Sequence, residues 1–513
     1  MDLEYELIIP ELALAGFAVL IGASALMFRQ IKQEVWGYLS ALGLLVLLVL
    51  TAVFYMNEND DFANVLAIDN FTNLFRVFFL AIAFFATISG IQYAGDRLRN
   101  HGEFYALILL ATVSMMTLAA SRELITAYIS LEVMSFSFYI LVGFNKLNPF
   151  SNEGSLKYML LGGFSSALFL YGLSMLYGIT GTTTYSGIEP DGIEAGRNIA
   201  AQLANFSATT IDPELPIPAD VRPGMIIAMV LIVAGLGFKV SAVPFHQWTP
   251  DAYQGAPLPV TLFLSAAGKA AAFAFFLRLF SEALLPAAAE WVWLVAIIAA
   301  LTMIVGNVMA IQQTNLKRLM AYSSIAQVGY LLIGIVALDA PSLTQSQDAA
   351  TALVLHLIGY VATNILVFTA LTAFYNRTGR DDIIDLRGLA ERQPYLAFLF
   401  SIGLFSLAGM PLFAGFATKF ILFQVAFNND FLWLGAMGVT ASFVSLYYYL
   451  NVIKQMYLYE PEGEGEDSAK FSIPLPLAGS LTVLAGAVFL LGLFPTPLFK
   501  AIDDSTRLLF PGL

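Results

Sequence analysis

Residues 235–259 read GLGFKVSAVPFHQWTPDAYQGAPLP. The stretch starts as the end of an apolar helix, carries Lys239, and then meets Pro244, Pro250, Pro257 and Pro259. Proline removes a backbone donor and clashes with the preceding turn, so no helix crosses this segment unbroken. A second interruption lies at 406–420, SLAGMPLFAGFATKF, where Gly409, Pro411 and Gly415 precede Lys419. Within apolar sequence, a broken helix is tolerated only where its freed backbone is buried in protein or lines a wet cavity.

Working outward from these breaks, apolar runs of roughly 20 residues recur along the chain, each able to cross a hydrocarbon layer of about 30 Å. Composition agrees. The 513 residues are 58% apolar and 12% charged, with a mean hydropathy of +0.76, whereas soluble domains carry about 25% charged residues. The expected fold is an all-α polytopic membrane protein with about fourteen transmembrane helices. The spans fall at 5–28, 35–56, 71–94, 104–120, 123–144, 154–180, 224–253, 258–280, 290–311, 316–337, 349–375, 394–427, 431–459 and 472–493. The acidic N-terminus, MDLEYELIIPEL, lacks the positive n-region of a signal peptide, so the first span is expected to be retained.

The two breaks fall in the seventh and twelfth spans. Interrupted helices at matching places point to repeats with a site between them. Five spans, an odd number, separate them, so helices 4–8 and 9–13 are expected to form two inverted five-helix repeats. The expected divisions are an N-terminal three-helix segment (1–103), a first repeat (104–280), a second repeat (290–459), and an acidic linker with the fourteenth helix (460–513). The loop 181–223 is expected to be a small ordered or mobile cap, and 460–470 (EPEGEGEDSAK) a solvated linker.

Orientation follows from the loop cations. The odd-numbered loops hold Arg29, Lys32, Arg97, Arg99, Lys146, Lys317, Arg318, Arg377, Arg380, Arg387, Arg392 and Lys470. The even-numbered loops and the tail hold Arg122, Arg197, Arg222, Lys500 and Arg507. Twelve against five places the odd loops in the cytoplasm and both termini outside. Trp36, Trp248, Trp291, Trp293 and Trp433 all fall near span ends, as an interfacial belt would have them.

Four charges lie well inside spans: Glu132, Lys239, Lys269 and Lys419. A charge near the bilayer centre costs several kcal/mol even on lenient scales, and such residues mark ion or proton routes. Snorkelling accounts for Lys157, Lys454, Arg278 and Arg76. It does not suit Lys269, which has roughly 16 Å of helix rise before it. A merely structural Glu132–Lys239 bridge would be a poor source of stability and would leave two lysines without a purpose. A carboxylate beside a buried amine favours its ammonium form, so a small separation of Glu132 from Lys239 would release a proton. Lys269 is placed to receive it and Lys419 to store it. His356, in TALVLHLIGYVATN, is either a relay between those two lysines or a satisfied core histidine; His246 follows Pro244 and is expected to cap freed backbone.

The sequence also excludes chemistry. With no cysteine there is no thiolate-held iron–sulfur cluster or zinc and no disulfide, and three histidines do not suit a haem or multi-histidine metal centre. The net charge of −13 argues against nucleic acid.

PFHQWTPDAYQGAPLPVT at 244–261 and EGSLKYMLLGGFSSALFLYG at 153–172 carry a resemblance. With fourteen helices and broken helices 7 and 12, the chain resembles the antiporter-like membrane subunits of respiratory complex I over nearly its whole length. Within them it looks like the subunit N branch of NADH-quinone oxidoreductase. The resemblance implies a proton-translocating subunit of a complex I-type NADH:quinone oxidoreductase, a translocase without a redox centre of its own. It places Glu132 on helix 5, Lys239 on helix 7, Lys269 on helix 8 and Lys419 on helix 12 in proton translocation. It implies no cofactor or metal on this chain, with FMN, iron–sulfur clusters and quinone on other subunits. Partners would be antiporter-like M and small K/J-type membrane subunits within the bilayer of the cell (inner) membrane, with periplasmic termini. Helix 10 offers no second glutamate, only Tyr322, Ser323, Ser324 and Gln327. The alternatives are an Mrp-type monovalent cation/proton antiporter subunit and a structural membrane scaffold.

Overall fold

The computed structural model describes residues 5–28, 30–32, 34–56, 60–62, 65–186, 198–209, 217–218, 220–460 and 470–510. Residues 1–4, Arg29, Arg197, much of the 181–223 loop and positions 461–469 of the acidic linker lie outside the described residues.

The helices are α1 (Ile9–Met27), α2 (Glu34–Phe54), α3 (Asn70–Arg97), α4 (His101–Ala120), α5 (Leu124–Val142), α6 (Pro149–Thr180), α7 (Ile199–Thr209) and α8 (Arg222–Val240). Then come α9 (Trp248–Gly255), α10 (Leu258–Phe263), α11 (Lys269–Arg278), α12 (Ala288–Ile311), α13 (Leu316–Val336), α14 (Leu343–Thr378) and α15 (Leu389–Arg392). The chain closes with α16 (Pro394–Ala408), α17 (Ala414–Asn428), α18 (Leu432–Leu458), α19 (Leu475–Leu493) and α20 (Thr496–Thr506). Among the described residues, thirteen helical stretches are long and apolar enough to cross a membrane. The broken pair α16–α17, twelfth in chain order, brings the spans to fourteen. The chain is a polytopic α-helical membrane protein.

Local chemistry sets the ends. Asp69, Glu123, Asn148, Asn315 and Ser342 each accept a backbone N–H at a helix start, as N-caps do. Gly181 and Gly379 close α6 and α14 in the left-handed conformation that glycine adopts without strain. The seventh span ends at Val240 and gives way to a return segment and α9, where the prolines fall. The eighth runs from Leu258 to Ala283 through two π-helical turns, Leu264–Gly268 and Leu279–Ala283.

Packing sorts the spans by burial. Leu258–Ala283 and Leu316–Val336 are wholly enclosed by other parts of the chain, while Glu34–Phe54 is mostly exposed. The interior spans are therefore those carrying Lys269 and Ser324. Two small features were not expected from the sequence. An antiparallel ribbon pairs Asp60–Phe62 with Leu66–Ile68. Beyond the fourteenth span, α20 lies against α14 and α3, too short and too polar to read as a span. From the 181–223 loop, α7 is an ordered helix with Ile199 and Leu203 buried.

Two expectations are corrected. Trp248 and Trp291 are not interfacial: they are 1% and 0% exposed, their ring nitrogens donating to the Phe238 and Leu284 carbonyls. Trp36 is buried too, and only Trp293 and Trp433 face outward. Short sequence distance to a span end did not reveal which side of the helix each ring occupies. Nor do Arg76 and Arg278 snorkel. Arg76 meets Glu11 at 2.6 Å, and Arg278 meets Asp69 at 2.8 Å and Glu282 at 2.9 Å. The Arg76–Glu11 and Arg278–Asp69 pairs tie α1 to α3 and the start of α3 to the end of the eighth span, and Glu11 and Asp69 lie too far away in sequence to be read as partners; Glu282 is the i+4 neighbour of Arg278. Lys157 and Lys454 do remain at partly exposed positions.

Removing one member of a buried ion pair costs about 3–5 kcal/mol because it strands the other charge. Glu11→Ala is expected to lower the apparent melting temperature of the detergent-solubilised protein. Glu34→Ala, at an exposed helix start, should leave it unchanged.

Candidate functional site

The first cluster forms where α8 stops. Ser241 takes a left-handed conformation (φ 72°), and Ala242 N–H returns to the Gly237 carbonyl at 2.7 Å. Lys239 therefore sits in the last helical turn, where unpaired carbonyls and the helix dipole favour a cation. Its Nζ lies 3.2 Å from Glu132 Oε1, 2.7 Å from Ser135 Oγ and 3.2 Å from Ser166 Oγ. Ser166 Oγ in turn donates to Glu132 Oε1 at 2.6 Å. Lys239, Glu132 and Ser166 thus close a three-membered ring across α5, α6 and α8, with Ser135 as a further partner of the ammonium. Lys239 is buried, whereas the Glu132 side chain keeps 16% exposure. The carboxylate lies beside an outward apolar stripe of Ile125, Ile129, Val133, Phe136 and Ile140, towards the lateral edge of the protein.

The return segment is held firmly. Trp248 stacks on Tyr158 at 4.1 Å, and Val243 N–H donates to Thr302 Oγ1 at 2.9 Å. Asp251 at its end accepts from Lys157 and Arg318, both at 2.7 Å, pinning α9 between α6 and α13.

The second cluster surrounds Lys269, the first residue after the π turn. Its Nζ hydrogen-bonds Ser324 Oγ. Ser324 also meets Tyr360 OH at 2.8 Å and Tyr253 OH at 3.3 Å. The ammonium lies 5.9 Å from the Tyr253 ring centre. No carboxylate pairs with Lys269 among the described residues.

The third cluster forms at the other break. Gly409 closes α16 with φ 80°, and Gly415 N–H donates to Ser406 Oγ at 3.0 Å. Lys419 lies beyond this break, not before it as Lys239 does, yet its Nζ reaches back to the Leu407 carbonyl at 2.8 Å. Both ammonium groups therefore end at the C-terminal turn of a first half-helix. Lys419 also contacts Ser442 Oγ at 3.3 Å and lies 4.8 Å from the Tyr330 ring centre. A cavity of about 340 Å³ adjoins it, lined in part by Pro411, Phe416, Phe420 and Phe443.

His356 Nδ1 lies 3.0 Å from Thr418 Oγ1, next in sequence to Lys419, and its Nε2 has no hydrogen-bond partner among the described residues. One turn along α14, Tyr360 touches Ser324. On α13, one turn from Ser324, Gln327 Nε2 donates to the Leu407 carbonyl at 3.4 Å, the same oxygen that Lys419 uses. Two helices thus each offer polar groups at both the Lys269 and the Lys419 clusters. Ser323 adds a hydrogen bond to Tyr449 OH.

The structure brings Glu132 to Lys239, and His356 to the edge of the Lys419 cluster. No described hydrogen bond joins Lys239 to Lys269 or Lys269 to Lys419 directly. Sequence reasoning missed Ser135, Ser166, Tyr253, Tyr360, Thr418 and Ser442. Ser135, three residues after Glu132, carried a spacing signal, whereas Ser166, Tyr253 and Ser442 stand at no helical spacing from the charges they meet. Among the described residues no group of His, Asp and Glu could hold a metal ion.

A β-carbon at Gly415 would collide with the Ser406 carbonyl. Gly415→Ala is expected to displace α17 from α16 and raise trypsin cleavage in the 409–419 region relative to wild type.

Three comparisons bear on this arrangement. The family described as NADH:quinone oxidoreductase/Mrp antiporter, TM matches residues 121–445. NADH-quinone oxidoreductase subunit N of Heliobacterium modesticaldum is 40% identical over 479 residues, 92% of this chain and 93% of that protein. A chain of respiratory complex I from Thermus thermophilus superposes with a TM-score of 0.76 at 28% identity, covering 97% of this chain and 100% of that one. A chain of the Mrp complex from a Dietzia species gives 0.79 at 20% identity, covering 100% and 98%, a likeness of fold alone.

Proposed function

This chain belongs to the family of NADH-quinone oxidoreductase subunit N, and on that premise we propose that it carries protons through the cluster series Glu132–Lys239–Lys269–Lys419. The function is that of an antiporter-like, proton-translocating membrane subunit of a complex I-type NADH:quinone oxidoreductase. The redox groups belong to other subunits. The chain contributes buried charge.

The observation that carries the residue roles is the ring of Glu132, Ser166 and Lys239, with Ser135 on the ammonium. While the carboxylate lies at 3.2 Å, it favours the ammonium form of Lys239. Separating the two removes that support in a desolvated site and favours loss of the proton towards Lys269. Lys269 lacks an acidic partner and depends on the hydroxyls of Ser324, Tyr360 and Tyr253 for orientation. From there, Tyr360 with His356 and Ser324 with Gln327 offer two polar routes to Lys419. Moving one charge against 100 mV requires about 2.3 kcal/mol, within reach of the change in proton affinity that burial and pairing produce.

The two five-helix halves, 104–280 and 290–459, are read as inverted repeats. In support, each half breaks its fourth span at a left-handed residue, Ser241 or Gly409, and brings an ammonium to the half-helix end. The loop cation count supports a cytoplasmic face at the odd loops and periplasmic termini in the cell (inner) membrane. A neighbouring membrane subunit of the M or K/J type would cover the Glu132 edge, since even a slightly exposed carboxylate beside an apolar stripe is costly against lipid.

Lys239→Ala in the assembled complex should abolish proton pumping while NADH oxidation by the detached hydrophilic arm is retained. A normal proton-to-electron ratio in that variant would sink the reading. Gln327→Leu combined with His356→Leu should interrupt both routes and lower the ratio at least severalfold, whereas either change alone leaves one route and a smaller loss. Equal ratios in the double variant and wild type would remove both routes from the path.

A further inference from the structure

A pocket outside the lysine series lies where α3 and α14 end and the chain enters α19. Its volume is about 440 Å³, and Gln92, Asn376, Arg377, Lys470 and Ser472 supply its polar lining. Among the described residues no carboxylate lines it, and neither Arg377 nor Lys470 forms a salt bridge. A third cation stands close by: Arg97 lies 4.6 Å from the Tyr375 ring centre and donates to the Tyr375 carbonyl at 3.3 Å. Asp381, the acid near this end of α14, is held by Lys317 at 3.2 Å and is not turned to these cations.

We infer that this pocket binds the phosphate headgroup of an anionic membrane phospholipid. Two uncompensated cations with amide and hydroxyl donors between them match a phosphate diester, which accepts from several donors at once. Asn376 donates to Gln92 Oε1 at 3.2 Å, which fixes its amide and leaves its Oδ1 buried without a partner. That atom can accept from a headgroup hydroxyl, such as the glycerol of phosphatidylglycerol. A free phosphate satisfies the same cations, but the setting favours a lipid. The pocket sits at the ends of two membrane spans, at the depth of headgroups, and its rim is apolar through Phe471, Ile473 and Pro474. Leu475, the next residue, is 84% exposed and opens an apolar track along α19 for an acyl chain. Basic pockets between spans commonly take anionic headgroups in this way.

The test uses the full-length chain in a mild detergent, titrated with dioleoyl-phosphatidylglycerol, dioleoyl-phosphatidylcholine and inorganic phosphate, with bound adducts read by native mass spectrometry. Wild type is expected to retain phosphatidylglycerol in preference to phosphatidylcholine, with phosphate competing weakly. Arg377→Gln and Lys470→Gln should each weaken phosphatidylglycerol binding about fivefold, and together about thirtyfold, from about 1 kcal/mol per cation. Arg377→Lys should preserve it, and Arg99→Gln, an exposed cation outside the pocket, should not change it. Equal retention of both lipids, or unchanged binding in the double variant, overturns the proposal. Competition by millimolar phosphate as effective as by lipid makes this a phosphate site instead and also overturns it. So does the absence of any adduct on wild type, the result expected if the acids between Glu462 and Asp467 occupy the cations themselves.

Discussion

An ammonium group withdrawn from water must be given other partners, and so must every backbone carbonyl freed when a membrane helix stops. The structure meets both demands at the same places. Where α8 and α16 end, left-handed residues turn the chain, and the loose carbonyl ends lie beside Lys239 and Lys419. The helix break stabilises the cation, and for Lys419 the cation in turn satisfies a carbonyl of the break. A lysine in an intact span would have neither the local dipole end nor the free acceptor. Much of the surrounding architecture supports these two corners: Trp248 stacked on Tyr158, Thr302 on the return segment, Asp251 clamped by Lys157 and Arg318.

The charges were legible in the sequence because they are rare. In a chain with only 12% charged residues, a lysine amid phenylalanine and alanine stands out, and so does a proline-rich interruption. The hydroxyls were not legible for the opposite reason. With 22 tyrosines in the chain, nothing marks Tyr360 or Tyr253 until the fold turns them towards Ser324. The same limit explains Arg76 and Arg278, whose partners Glu11 and Asp69 are brought in by tertiary packing, and Trp248 and Trp291, whose rings turned inward. Most span positions were recovered to within a few residues because membrane thickness sets length independently of packing; the seventh, expected to reach 253, stops as a helix at Val240 where the chain turns back. The amphipathic α20 escaped because it obeys no such length rule.

Burial also separates two kinds of charge that composition alone cannot distinguish. Arg76 and Arg278 are fully paired with carboxylates and join the N-terminal helices to the rest. Lys269 and Lys419 are equally buried but meet only hydroxyls, a carbonyl and aromatic faces. The first kind holds elements together through charge pairs; the second is oriented by neutral groups alone. Lys239 stands between, its one carboxylate partner itself lying at the edge of the protein.

The π turn at Leu264–Gly268 contains one residue more than an α-helix would need, and Lys269 follows it directly. One residue corresponds to about 100° of helical rotation. Deleting any single residue of that turn would therefore let the span relax into ordinary α-helix while swinging the lysine away from Ser324 or twisting everything before it out of register. The apparent flaw acts as a phase-setting insertion: the span tolerates an irregular turn in its enclosed interior so that the residues on either side of it can face different partners. Along this helix, length and side-chain direction cannot be varied independently.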